Sequence, residues 1–442
     1  GAERMRKLVL ISLIVFPAIV FLSCGGTKET ADLQLGSEKY INFESLENRD
    51  GKYFQLEMVE PYSGHVRDYS GELLNYKGSY NSGMKHGIWT YYYDNGEVKR
   101  EESYDNSKKA GDWVTYDGKS NRTKLEQYQN DIPDGRWEEY KILVKKRITY
   151  QNGIMQGNYK ELNVKNQVQI EGTYENDKKD GAWNELLKNG YREHVVYSMG
   201  KRDGLYTLNF PSGRTQIAGE YLDGNKHDEW ITQNEERQIL KKEHFEKGML
   251  EREELFRTDG TRVKVLNMLS GKLHGEYVEY FQNDTPKEKG QYVDGEKDGT
   301  WFLWGDNGVL ILEENYKRGK FDGEQKYFLS DGSPKKSQLY SLGQLNGETR
   351  EWYPHGTLRV YQNYKLDKLV GVMKSWYENG NPKAEISYHN GSQQGHALSW
   401  WENGNLKLAA AKKDGHHVGI RTNFNDSGVV VSKVDASFSE DS

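Results

Sequence analysis

The stretch Tyr80-Asn81-Ser82-Gly83-Met84-Lys85-His86-Gly87-Ile88-Trp89-Thr90-Tyr91-Tyr92-Tyr93-Asp94-Asn95-Gly96 decides how the chain is to be read. Gly87 precedes a short apolar and aromatic run, and Asn95-Gly96 follows nine residues later. Asn-Gly between extended segments predicts a tight hairpin, because both central residues can take positive φ without a Cβ clash. The first glycine recurs at Gly64, Gly87, Gly111, Gly135, Gly157, Gly181 and Gly204. It lapses at Glu229 and Glu251, then resumes at Gly275, Gly299, Gly323, Gly347, Gly371, Gly395 and Gly419. Ten of the 15 intervals equal 24 residues, so the chain is a repeat array.

The segment after each Asn-Gly alternates: Leu310, Leu312 and Tyr316 point one way, Ile311, Glu313 and Asn315 the other. Each unit is therefore expected to be one β-hairpin. A lone hairpin is marginal, so the units must stack on one another. The expected fold class is all-β, an elongated single-sheet meander or solenoid of about 16 hairpins. Some 32 strands at roughly 4.8 Å spacing would give a ribbon about 150 Å long.

Composition agrees with an ordered chain. Of 442 residues only 35% are hydrophobic, but 12% are aromatic, which argues against intrinsic disorder. Beyond residue 22 no apolar run approaches the roughly 20 residues a membrane span needs. A net charge of −6 without a clustered basic face argues against a nucleic-acid partner. One cysteine excludes a disulfide framework and any cysteine-based metal site.

That cysteine is Cys24. Met5 to Lys7 give a basic start, Leu8 to Leu22 an apolar run, and Phe21-Leu22-Ser23-Cys24 a small residue before cysteine. The layout resembles a bacterial lipoprotein signal, which implies lipidation at Cys24 and a chain anchored to a membrane of the cell envelope, the outer membrane favoured. The expected organisation is a signal and lipidation site over 1–24, a tether and cap over 25–57, repeats over 58–430 and a polar tail over 431–442.

The pattern Tyr-x-x-Gly-x-x-x-Gly-x-Trp-x-x-Tyr-Tyr-x-x-Gly at Tyr80 to Gly96, approached at Tyr292 to Gly308 and Tyr388 to Gly404, resembles the variant MORN repeat. The resemblance implies a repeat scaffold. Bacterial members are often labelled as antitoxin components, others as MORN-repeat proteins or lipoproteins, so an antitoxin or immunity role is a second expectation.

Chemistry-bearing residues do not converge. His86, His274 and a displaced His227 fall in turns before the repeating glycine, and His416-His417 has only Asp414 beside it. Asp298 and Asp322 sit singly, without the dense acids of a calcium loop. No nucleophile elbow, phosphate loop or zinc-protease helix is present. The expectation is no enzyme, no catalytic residue, no metal and no cofactor. A glycan-acting protein is the remaining alternative; it would need paired carboxylates across a cleft, and none can be nominated.

Aromatic residues do recur in register. Two residues after the glycine come Trp89, Trp113, Trp137, Trp183, Tyr277 and Trp301; five after it come Tyr280, Trp304, Phe328, Trp352, Trp376 and Trp400. An odd offset puts the two registers on opposite faces unless a bulge intervenes. A single-layer sheet leaves some rings partly exposed, so the second register is the expected surface for a protein, peptide or glycan partner.

Overall fold

A computed structural model describes residues 39–435. Cys24 and the signal-like segment lie outside the described residues, as does the chain from 436 onward. Among the described residues, 37 strand segments join one open sheet. Successive strands pair antiparallel, as the hairpin period requires, from Gly64–Ser70 to Val430–Asp435, with four strands split at the bulge into two pieces that both pair with the strand before. The all-β single-sheet meander expected from the glycine period is the observed fold.

One end departs from the repeat. Tyr40–Asn42 runs parallel to Gly64–Ser70 along the first edge. A hairpin of Leu46–Arg49 and Lys52–Gln55 forms a separate small sheet and packs beside it. Leu46 is buried with Val66, Tyr80 and Trp89, while Phe43 and Tyr53 close over them. Apolar burial thus seals an end that would otherwise expose the first repeat's rings.

The two kinds of turn are assigned opposite to the sequence expectation. At the Asn-Gly turns only the glycine is left-handed: Gly96 has φ 83°, and Asn95 does not have positive φ. Gly96 N–H donates to Tyr93 O at 2.9 Å and Tyr93 N–H to Glu97 O at 2.8 Å, a four-residue turn closed by a glycine bulge. The Asn95 side chain accepts from Glu97 N–H and donates to Gly118 O at 3.1 Å, linking one turn to the next. The two-residue turns with both residues left-handed stand instead on the opposite margin, ahead of the repeating glycine: Asn106 and Ser107 at φ 48° and 64°, Asp294 and Gly295 at 52° and 89°.

Several of those turns force a bulky residue into the left-handed region, which costs an L-residue about 1–2 kcal/mol. Leu342 is one, at φ 50° and largely exposed. Leu342→Asn should therefore stabilise the chain by about 0.5–1 kcal/mol, read as a higher midpoint in urea. A lower midpoint would show that the leucine side chain contributes more than its backbone costs.

The repeating glycine belongs to a wide bulge. Lys77 pairs with Thr90 and Ser79 with His86, so Gly87, Ile88 and Trp89 face Gly78 alone. All 14 of these glycines have positive φ, which no β-branched or large residue takes readily. The eighth unit corrects the sequence assignment: Asp228, at φ 56°, fills the glycine's place, not Glu229. His227 therefore precedes it in register and is not displaced. At Glu251 the strand Met249–Phe256 has eight residues where Asn225–Gln233 has nine. The bulge there shrinks to Glu251 alone, between the pairs His244 with Arg252 and Phe245 with Leu250.

Candidate binding surface

The tryptophan two residues after the glycine is set by that bulge. Its indole lies against a glycine of the preceding strand: an added Cβ on Gly78, Gly172, Gly219 or Gly290 would sit 2.2–2.3 Å from Trp89, Trp183, Trp230 or Trp301. The indole N–H donates to the carbonyl ten residues back, at 3.1 Å to Ser79, 3.1 Å to Thr173, 3.1 Å to Glu220 and 3.0 Å to Gln291. A tyrosine stands edge-on at 4.9–5.1 Å, as Tyr80, Tyr174, Tyr221 and Tyr292 show. Lys85, Lys179, Lys226 and Lys297 lie over the other indole face at 3.8–4.2 Å. Burial pulls the pKa of Lys85 and Lys226 below the ordinary lysine value. Glycine, tyrosine, lysine and tryptophan thus form one packed unit repeated along the sheet.

Five segments match the MORN repeat variant: 85–106, 273–294, 297–318, 345–366 and 369–390. Each begins two residues before the repeating glycine and runs into the next two-residue turn. The matched units at 273–294, 345–366 and 369–390 carry Tyr277, Thr349 and Met373 in place of the tryptophan two residues after the glycine, so the match follows the turns and bulge more than the buried ring. No curated protein sequence matches the chain.

Among solved structures, a crystal structure of TcdB2-TccC3-Cdc42 is similar at 11% identity over 83% of this chain and 24% of that one, with a TM-score of 0.13. The Photorhabdus luminescens Tc holotoxin pore gives 11% over 84% and 25%, TM-score 0.14. A crystal structure titled as the eukaryotic initiation factor gives 8% over 86% and 91%, TM-score 0.13. The chain spans about a quarter of the length of the first two. At these TM-scores the likenesses carry no argument about fold or function.

From the unit at Gly323 onward the tryptophan slot holds Gln325, Thr349, Met373, Ala397 and Arg421. Gln325 is fully buried and reproduces the indole's bond, donating from Nε2 to Asn315 O at 2.9 Å while Oε1 accepts from Asn315 N–H at 2.9 Å. Sequence reasoning passed over it because a glutamine in an alternating strand looks like a solvated residue. Its position two residues after Gly323 was the available signal.

The register five residues after the glycine lies elsewhere. Tyr280 is buried, with Arg262 stacked at 4.1 Å over its ring. Trp304, Phe328, Trp352, Trp376 and Trp400 are half-buried, spaced along the margin that carries the Asn-Gly turns. A further ring with a polar tip follows three of these positions, and that tip ties units together. Tyr353 hydroxyl donates to Trp376 O at 3.1 Å, Tyr377 to Trp400 O at 2.9 Å, and Trp401 Nε1 to Phe424 O at 3.1 Å. Tyr93 does the same to Tyr116 O near the other end, at 2.9 Å. Lysines cover these second rings, Lys383 over Tyr377 at 5.3 Å and Lys407 over Trp401 at 4.1 Å. The doublets Trp376-Tyr377 and Trp400-Trp401 were the sequence signal for this pairing.

One shallow cleft of about 340 Å³ opens here, lined by Leu329, Lys335, Lys336, Trp352, Tyr353 and Arg359. Glu351 holds Arg359 and, at 3.7 Å, Lys336. A second cleft of about 530 Å³ lies near the first repeats, against Tyr76, Tyr91, Tyr92, Tyr93, Lys99 and Arg100.

Asp298 and Asp322 tie neighbouring units together, three of the histidines raised by sequence lie beside acids, and His417 Nδ1 is buried without a hydrogen-bond partner. Asp298 and Asp322 accept the turn N–H of the following unit, from Arg318 and Leu342, each at 3.0 Å. His86 pairs with Asp105 at 3.4 Å, His227 with Glu246 and His274 with Asp294 at 3.9 Å. Glu138 is buried among Arg122 at 2.9 Å, Arg147 at 3.1 Å and Arg136 at 3.7 Å. Burial raises its pKa, but the Tyr140 hydroxyl and the three guanidinium groups outweigh that and hold it below the usual carboxylate value.

Proposed function

We propose that the chain is a non-enzymatic repeat scaffold of a bacterial cell envelope, anchored through a lipid on Cys24, that holds a protein, peptide or glycan partner against its aromatic margin. The observation that carries this reading is the row of half-buried rings Trp352, Trp376 and Trp400 on one margin of a continuous sheet. The sheet lies against one side of each ring, and the backbone carbonyls of Trp376 and Trp400 accept from Tyr353 and Tyr377 of the preceding unit, so little rotamer freedom is lost when the open side meets a ligand. Aromatic anchors beside Arg359 and Lys383 are the residue types that dominate binding energy at interfaces.

Two measurements test it. The mature protein should sediment with membranes, and Cys24→Ser should move it to the soluble fraction or leave it unprocessed; an unchanged membrane pool removes the anchor. Crosslinking in native membranes followed by mass spectrometry should recover a companion. Trp352→Ala with Trp376→Ala should cut that recovery about tenfold or more, equivalent to about 1.4 kcal/mol or more, at unchanged circular dichroism. Equal recovery would remove the aromatic margin from the reading, and glycan turnover by the purified chain would overturn the non-enzymatic part.

A further inference from the structure

Most of the 11 tryptophans commit the indole N–H to a backbone carbonyl. Trp89, Trp113, Trp137, Trp183, Trp230 and Trp301 reach the carbonyl ten residues back at 2.9–3.1 Å, and Trp401 reaches Phe424 O at 3.1 Å. Trp304, Trp352, Trp376 and Trp400 do not. Among the described residues Nε1 of each has no partner, and none of the four nitrogens is buried. All four stand five residues after the repeating glycine, and so on one margin and one face of the sheet. Trp352, Trp376 and Trp400 occupy consecutive units, which makes their N–H groups a row of donors without acceptors.

Strand pairing fixes the spacing of that row. Trp352 is opposite Leu358 and Trp376 opposite Pro382. The strand of Leu358 pairs with that of Trp376 through Val360 and Ser375, and Ala384 with Ser399 carries the row on to Trp400. Consecutive rings are therefore two ladder steps apart, roughly 9–11 Å. An extended β-strand laid along them would present side chains to one face every 6.7 Å or so, out of step with the rings. An α-helix comes into step at about 11 Å, after two turns, but its carbonyls are spent on its own N–H groups. A polyproline II helix repeats every three residues, about 9.3 Å, and leaves every carbonyl free.

Charge along the row cancels unit by unit. The turns 351–359, 375–383 and 399–407 each carry one acid and one base: Glu351 and Arg359, Glu378 and Lys383, Glu402 and Lys407. What remains unsatisfied is donors, and a run of prolines is the complement, with carbonyl acceptors and no N–H of its own. The chain's own eight prolines stand singly, so such a run belongs to another protein. We propose that Trp352, Trp376 and Trp400 bind a proline-rich segment of another protein as a polyproline II helix, one turn per unit, its carbonyls accepting the three indole N–H bonds. The pyrrolidine rings seat between the indoles, the first in the cleft formed by Leu329, Trp352, Tyr353 and Pro354. This rests on the aromatic margin of the proposed function and names its ligand.

The experiment is fluorescence anisotropy of a labelled proline decamer with the full chain, against a glycine–serine peptide of equal length. The proline peptide should reach half-saturation below about 1 mM and bind at least tenfold tighter than the control. Trp376→Phe keeps a ring and removes one N–H, so it should weaken binding at least fivefold at unchanged circular dichroism. A proline tetramer, at about 3.1 Å per residue too short to span the three rings, should bind at least tenfold more weakly than the decamer. No preference for the proline peptide overturns the proposal. So does full binding by Trp376→Phe, and so does a tetramer that binds as well as the decamer, which decides the matter if the variant is misfolded. Binding of a soluble chitin hexamer with none of the proline peptide overturns it and assigns the margin to glycan. If proline binding is absent while Trp352→Ala with Trp376→Ala still loses the crosslinked companion, this ligand is wrong and the proposed function stands.

Discussion

Gly290→Ala should open the centre of the ribbon, lowering stability by about 3 kcal/mol, the top of the usual range for one added methyl. The new Cβ would lie 2.2 Å from Trp301 Cδ2, well inside contact distance, so the ring or the strand must move. The ring has no room to give. Trp301 is 2% exposed, with Tyr292 edge-on at 4.9 Å, Tyr277 at 5.6 Å and Lys297 at 3.8 Å, and its N–H is committed to Gln291 O. Moving the strand would break the ladder pairing Lys289 with Phe302 and Gln291 with Asp298. Removing the ring by Trp301→Ala should cost about 3–5 kcal/mol by the cavity it leaves. The two changes together should cost less than their sum, because the methyl then occupies space the indole vacated. Urea unfolding of the three variants checks this; an additive double variant, or a Gly290→Ala cost below about 1 kcal/mol, would refute the packing described.

Gln325→Leu should be nearly as damaging, by about 2–5 kcal/mol, though leucine is the more hydrophobic residue. The amide satisfies both Asn315 N–H and Asn315 O in a fully buried site, and leucine would strand both groups. Thr349 in the equivalent slot one unit later is the contrast. It is 2% exposed, and its Oγ1 has no hydrogen-bond partner. Thr349→Val should therefore be neutral or stabilising. Thermal melts of the pair decide the point: if both variants lose stability alike, the slot is governed by shape and not by hydrogen bonding.

How much was legible from sequence differs by element. The glycine period exposed the hairpins because positive φ at a bulge is a local demand that almost only glycine meets. The same logic failed at Asp228, since aspartate tolerates the left-handed region and breaks the glycine count without breaking the geometry. It also misassigned the turns. Asn-Gly is compatible with two turn types, and the choice depends on how the closing residue bonds, as Tyr93 does with Glu97 and Gly96. Gln325 stood in the tryptophan's register, but what it bonds, Asn315 N–H and O, belongs to the neighbouring strand and shows only in the fold.

Period, strand pairing and the open meander follow from the amino-acid sequence alone, because each hairpin is made by residues within one or two dozen positions of each other. Which aromatic register is buried is a tertiary matter. Trp89 and Trp301 vanish beneath their strands since Gly78 and Gly290 leave them space across the ladder, whereas Trp352, Trp376 and Trp400 meet only the margin and stay half open. Burial is set by what stands opposite a side chain, and only the folded sheet brings those partners together.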